Sequence, residues 1–160
     1  MAPVVPEITT LLDSVVNQLY RDSVTVTRTM TINQQRSQQT LKWIDWKKEL
    51  ALFYRSDISN ASTAARYEAD TLDADSVRVL TFLATDSSLR TRKLQLFFKN
   101  DRLEKMYIRN AQSSWWSEMQ EELYLFPEEG YSIRSNTSNR LFGHQQMLIT
   151  GLFHVGKTQP

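Results

Sequence analysis

Residues 91–110 read TRKLQLFFKNDRLEKMYIRN, and the way this stretch folds decides the architecture. Two runs suited to strands, Thr91–Lys99 and Leu103–Asn110, flank the pair Asn100-Asp101. Asn and Asp tolerate positive φ, so the pair predicts a two-residue hairpin turn. The same grammar extends in both directions. Arg66–Leu72 and Ser76–Thr85 are joined by an acidic turn. Trp116–Phe126 and Tyr131–Ser138 flank Pro127-Glu128-Glu129-Gly130, and Gln145–Phe153 is a last strand. Parallel neighbours need crossovers of about a dozen or more residues, and no connection after Tyr67 leaves room for one. The sheet is therefore expected to be antiparallel throughout. Within it, Ser113–Glu122 is the stretch that also fits a helix.

Helical periodicity is confined to the first sixty or so residues. Pro6 and Glu7 suit the start of a helix over 7–21, where Ile8, Leu11, Leu12, Val15 and Leu19 recur on one face. From Ser23 the period becomes two. Val24, Val26, Arg28, Met30 and Ile32 alternate with threonines, predicting a strand. A turn at Asn33–Arg36 would return the chain as an exposed polar edge, Ser37–Leu41, completing a hairpin over 23–41. A second helix is expected over 44–56, capped by Asp45, with Trp43, Trp46, Leu50 and Phe53 on one side. Asp57–Ala65 reads as a loop. The predicted fold is one α+β domain over 1–160: N-terminal helices packed on one curved antiparallel sheet, a meander of about six to eight strands.

The chain has 160 residues, 41% hydrophobic and 23% charged, with 19 basic and 18 acidic side chains. A net charge of +1 with interspersed signs gives no field of the kind that gathers nucleic acid. The absence of cysteine removes disulfides, thiol nucleophiles, iron–sulfur clusters and Cys-type zinc sites together. No run of about 18 apolar residues predicts a membrane span. The start, Met1-Ala2-Pro3-Val4-Val5-Pro6, has neither the basic region nor the apolar stretch of a leader.

Catalytic signals are thin. Gly151-Leu152-Phe153-His154-Val155-Gly156-Lys157-Thr158 fits the phosphate-loop pattern letter for letter. That loop works by leading into a helix whose N-terminus holds the phosphates. Here only two residues follow, the preceding ones read as strand, and the match is taken as chance. His144 and His154 are the only histidines, and Asp70, Asp73 and Asp75 lack the glycine and distal Glu of a calcium loop. No catalytic residue, metal ligand or cofactor is assigned.

The aromatic residues say more. Trp115-Trp116 and Phe97-Phe98 are adjacent pairs, which on a strand point to opposite faces. Leu80/Phe82 against Val79/Leu83 repeats the feature, so several strands read as apolar on both sides. Either both faces are covered within the domain, or one offers an apolar surface to a ligand or partner. On the second reading the contributors are Phe97, Tyr107, Trp115 and Trp116.

One stretch resembles a known group. Asp45-Trp46-Lys47-Lys48-Glu49-Leu50-Ala51-Leu52-Phe53, then Asp57-Ile58, is similar to D-W-x-x-E-L-x-x-F-x-x-x-D-I-N, found in uncharacterised cell-envelope lipoproteins of Bacteroidota. Tyr67 matches the Tyr-led strand that follows there, and Gly130-Tyr131-Ser132-Ile133 resembles a G-Y-x-I hairpin of the same proteins. Ser59 stands where the pattern has Asn. The lipid-bearing cysteine is absent, so the resemblance implies a chain that begins after it. It further implies a domain on the periplasmic face of the outer membrane, held there through that anchor alone, and implies no chemistry. The alternative compartment is the cytoplasm. The leading expectation is a non-enzymatic domain that binds an apolar ligand or an envelope protein through its sheet, with no nucleic acid partner. The rivals are an assembly module using the edge Gln34–Gln39 for strand addition, and a hydrolase-like enzyme with dispersed carboxylates and a histidine.

Overall fold

The computed structural model describes residues 4–156. In chain order the elements are α1 (Ile8–Arg21), β1 (Thr25–Ile32), β2 (Gln35–Leu41), α2 (Trp46–Glu49), α3 (Ala51–Tyr54) and α4 (Ala61–Ala64). They continue with β3 (Tyr67–Ala74), β4 (Val77–Ala84), β5 (Thr91–Lys99), β6 (Arg102–Ser113), β7 (Ser117–Phe126), β8 (Gly130–Asn139) and β9 (Gly143–His154). The protein is chiefly one open antiparallel sheet of nine strands with few short helices, in the order β2-β1-β9-β8-β7-β6-β5-β4-β3. The strand count exceeds the expected six to eight. The topology is also more than a meander. After the β1–β2 hairpin the chain crosses through α2, α3 and α4 to the far edge, then returns strand by strand until β9 pairs with β1.

Two-residue turns form where they are expected. Asn100 and Asp101 both have positive φ, 50° and 61°, and Lys99 pairs with Arg102 across them. The first hairpin turns earlier than the sequence suggests. Asn33 and Gln34 alone adopt positive φ, which leaves Gln35 and Arg36 paired in β2. Ser113–Glu122 holds no helix: β6 runs to Ser113 and β7 starts at Ser117. Trp115 and Trp116 therefore lie in a turn, and the strand reading of that pair, one ring on each face, is corrected.

The expected helix over 44–56 is broken into two single turns. Asp45 does cap the first, its carboxylate accepting from Lys48 N–H at 3.3 Å. The helix breaks at Leu50, whose φ −101° and ψ 20° leave the α region. Trp46, Leu50 and Phe53 are all buried across the break. The loop after Asp57 also contains a helical turn, α4, capped by the Asn60 side chain accepting from Ser62 N–H at 3.1 Å.

Cross-strand partners share a face, so the pairings divide the sheet cleanly. On the inner face Leu94 and Leu96 of β5 stand opposite Ile108 and Met106, which stand opposite Leu123 and Leu125, then Ile133 and Tyr131. These join the α1 residues Ile8, Leu12, Val15, Val16 and Leu19, with Trp46, Leu50 and Phe53, in one buried cluster. The edge of Trp46 meets the Phe153 ring with centroids 5.3 Å apart. The Tyr131 hydroxyl donates to Glu49 Oε1, and Arg28 donates to Glu49 Oε2 at 3.1 Å. Burial, reinforced by the Glu49 carboxylate, pushes the Tyr131 phenol far above its ordinary value. Trp46, Glu49, Leu50 and Phe53 thus form the buried joint between helices and sheet.

Two glycines make that joint fit. Tyr131 pairs with Gly151, and a Cβ on Gly151 would sit 2.2 Å from the Tyr131 ring. Gly130, at φ 154°, has Gly151 O where its Cβ would be. Gly151 thus lies within a strand under an aromatic ring. His154, of the phosphate-loop match, ends that strand, while Lys157 and Thr158 lie outside the described residues. Gly151→Ala is expected to destabilise the protein by about 1–3 kcal/mol through overpacking. The neighbouring exposed Leu152→Ala should stay within about 0.5 kcal/mol. Urea denaturation of both variants checks this; equal effects would contradict the ring-on-glycine contact.

Candidate functional site

The opposite, outer face of the sheet carries the candidate site, and a register shift puts it there. From Lys99↔Arg102 a regular hairpin would set Phe97 opposite Glu104. Instead Phe97 pairs with Lys105, and a second shift lies between Thr91 and Lys93. Glu104 and Arg92 are the two extra residues, one bulge on each strand. Between the bulges Leu94 and Leu96 meet Ile108 and Met106, all buried. Without them these leucines would face Tyr107 and Lys105, and the apolar pairing of the two strands would be lost. The bulges thus turn Lys105 and Tyr107 outward. Arg92, at one bulge, has its Nε buried without a hydrogen-bond partner.

Three adjoining rows follow on this face. The first is charged: Lys93 opposite Arg109, Arg109 opposite Glu122, Glu122 opposite Arg134. The second holds Gln95, Tyr107, Tyr124 and Ser132. The Tyr107 and Tyr124 rings lie 4.8 Å apart at a 41° tilt. In the third, Lys105 Nζ lies over Phe97 at 4.9 Å, Tyr124 at 5.5 Å and Phe126 at 5.8 Å. Lys93 Nζ lies 5.7 Å from the centre of the Tyr107 ring. Such contacts contribute about 0.5–1 kcal/mol each at exposed sites. Phe97, Tyr107, Tyr124 and Phe126 are all half-buried. Leu72 at 60%, Leu83 at 42% and Leu152 at 57% exposure extend the apolar character toward both sides.

Glu122 organises the centre. Its Oε2 accepts from Tyr124 at 3.1 Å and from Tyr107 at 3.5 Å. Burial first, and then the neighbouring Glu122 carboxylate, push both phenols above their ordinary value. Neutral phenols beside a carboxylate, lysines over rings and a row of arginines can recognise a surface. They offer no activated nucleophile.

Of the four residues singled out in the sequence, Phe97 and Tyr107 come together here. Trp115 and Trp116 do not; they sit in the β6–β7 turn at one end of the sheet, 79% and 43% exposed. Tyr124, Phe126, Lys105 and Glu122 were missed. Alternation along β7 carries a signal for Tyr124 and Phe126, since they alternate with Leu123 and Leu125, which are buried. The Lys105 position depends on the bulge, which no local pattern announces.

Polar groups elsewhere serve the core. Thr91 Oγ1 donates to Asn110 Oδ1 at 2.8 Å. Asn110 Nδ2 donates to Ser56 Oγ at 3.1 Å and to Glu121 Oε1 at 3.3 Å, and Arg90 donates to the same Glu121 oxygen at 3.1 Å. This partnered network closes one end of the buried cluster. His154 Nε2 lies 2.9 Å from Thr27 Oγ1, and among the described residues no hydrogen bond joins either histidine to a carboxylate. No three His, Asp or Glu side chains among the described residues gather as a metal-holding group.

Comparison with known protein families finds no matching family, and comparison with curated proteins finds no matching relative.

A phenol whose folded pKa is raised contributes stability that is complete below its unfolded value of about 10 and is lost as pH rises through the folded value. Tyr107 and Tyr124 should therefore ionise later than free tyrosine, and part of the folding stability should fade above about pH 10. Glu122→Gln removes the carboxylate and leaves the burial, so both phenols should titrate earlier and the alkaline loss should shrink. Phenolate absorbance and urea denaturation at rising pH measure this. A titration unchanged by the substitution would sink the assigned role of Glu122.

Proposed function

We propose that the protein is a non-enzymatic binding domain of the cell envelope, which holds a protein partner on the outer face of its sheet. The observation that supports this is the aromatic and cationic surface around Phe97, Lys105, Tyr107, Tyr124 and Phe126, set on the face away from a filled core. Tyr, Phe and Arg are the residues enriched where proteins meet. Lys93, Lys105, Arg109 and Arg134 outnumber Glu122 within this patch, which fits a partner presenting carboxylates among apolar side chains. A small apolar ligand fits less well, because the inner face is occupied by α1 and Trp46. In this reading the helices serve as the inner cover of a curved sheet, and the outer face is left for recognition. The periplasmic face of the outer membrane, with a lipid anchor ahead of this chain, remains the setting that the resemblance implies.

A labelled peptide alternating Glu with Leu and Trp is the probe for fluorescence anisotropy. It should bind the wild type, and Lys105→Glu with Phe126→Ser should weaken binding about tenfold, roughly 1.4 kcal/mol. Trp43→Ser, at a fully exposed position beyond β2, should leave binding unchanged. Equal binding by wild type and double variant would overturn the proposal, as would tighter binding of oligodeoxythymidylate than of the peptide.

A further inference from the structure

At the end of the sheet where Trp115 and Trp116 lie, two neighbouring hairpins carry apolar tips. The β6–β7 turn presents Trp115 at 79% and Trp116 at 43% exposure; the β8–β9 turn presents Leu141 at 79% and Phe142 at 87%. Both turns are fixed by their own polar groups. Ser114 N–H donates to Ser117 O at 2.8 Å, and the Asn139 side chain accepts from Leu141 N–H at 2.6 Å and Phe142 N–H at 3.1 Å. Arg140 N–H donates to Trp116 O at 3.0 Å, tying one turn to the other. Hairpin turns favour Gly, Asn, Asp and Ser, and none of these four apolar side chains belongs to the buried cluster. Their exposure is a solvation cost that folding does not require.

The surroundings say what covers them. Residues 110–117 contain no ionisable side chain, and residues 135–147 contain only Arg140 and His144. The collar is chiefly Ser, Thr, Asn and Gln, with Glu118, paired with Ser113 and Ser138 one step further from the tips, as its nearest acid. A polar collar of little net charge, Glu118 against Arg140, beneath projecting Trp, Phe and Leu suits the interface of a zwitterionic bilayer. There indole and phenyl rings settle at headgroup level, and each charge carried inward would be costly. The one cation at the tips, Arg140, has the reach to meet a lipid phosphate. The four side chains project from two turns and line no groove, so a flat fluid surface accommodates them.

We propose that the paired β6–β7 and β8–β9 turns dock the protein directly on a neutral phospholipid surface, by inserting Trp115, Trp116, Leu141 and Phe142 into the interface. This contact is separate from the recognition face and independent of any covalent anchor.

The test is co-sedimentation of the full chain with phosphatidylcholine vesicles, read together with tryptophan emission and its quenching by bromine-labelled acyl chains. The wild type should sediment with the vesicles, shift its emission to the blue and be quenched, with little dependence on salt. Trp115→Ser with Phe142→Ser should lower partitioning about tenfold or more at an unchanged thermal midpoint. Leu141→Lys, a single change at an exposed tip, should lower it as well, and Trp43→Ser at the far end should not. No sedimentation at millimolar lipid would overturn the proposal. So would binding that needs anionic lipid and vanishes with salt, or undiminished binding by the tip variants. A lipid-free dimer that the tip substitutions dissociate would also overturn it, by assigning the tips to a second copy of the chain.

Discussion

Leu94 and Leu96 on one strand, and Met106 and Ile108 on the next, must share a face if the core is to close. A regular hairpin from the Asn100-Asp101 turn would place the leucines opposite Lys105 and Tyr107 instead. Slipping a strand by one residue exchanges its whole apolar set for its polar one. The bulges at Glu104 and Arg92 carry out that slip over a short stretch and then reverse it. Burial of these four side chains outweighs the disturbed ladder, since each fully buried Leu, Ile or Met contributes roughly 1.5–3 kcal/mol. The candidate recognition face is the other side of the same solution. What the core rejects, a lysine and a tyrosine, comes to rest among Phe97, Tyr124 and Phe126.

A second joint holds the helices to this sheet. Glu49 receives the Tyr131 hydroxyl and the Arg28 guanidinium, while Trp46 meets Phe153 edge to face. A carboxylate buried this far needs every partner it has, and the backbone makes room for them. Gly151 lets the Tyr131 ring lie across its strand, and Gly130 lets that strand approach closely. The residues that resemble an envelope lipoprotein pattern are mostly members of this joint, or its caps. Packing alone accounts for that pattern of residues.

Much of the fold was legible because turn chemistry is local. Asn100-Asp101, and the polar segments between apolar runs, announced consecutive hairpins, and short connections excluded parallel pairing. Helical spacing from Ile8 to Leu19 announced α1. The break at Leu50 was hidden, because Trp46, Leu50 and Phe53 fit one straight helix as well as two bent turns. The crossing from β2 to β3 was hidden too, since nothing local says which edge a strand will join. Of the candidate site residues, Phe97 and Tyr107 lie on one outer face, as two-sided apolar character suggests. The same signal misassigned Trp115 and Trp116 to a strand, because a Trp pair in a turn looks the same as one in a ladder. Lys105 was invisible, its position being set by a core constraint on its neighbours.

The pairing of β1 with β9 carries a consequence for how the molecule is made. Thr25 stands beside His154, so the first strand finds its place only when the last is available. Closing so long a loop ahead of any reward from contacts is what makes non-local sheets slow to fold. During synthesis α1 and the β1–β2 hairpin leave the ribosome with their apolar sides unmatched, and must wait for β9. Strands from Tyr67 onward can zip in order of emergence. The β1–β2 hairpin is thereby the last part of the sheet to be secured, and its unmatched edge is open to wrong pairing until β9 arrives.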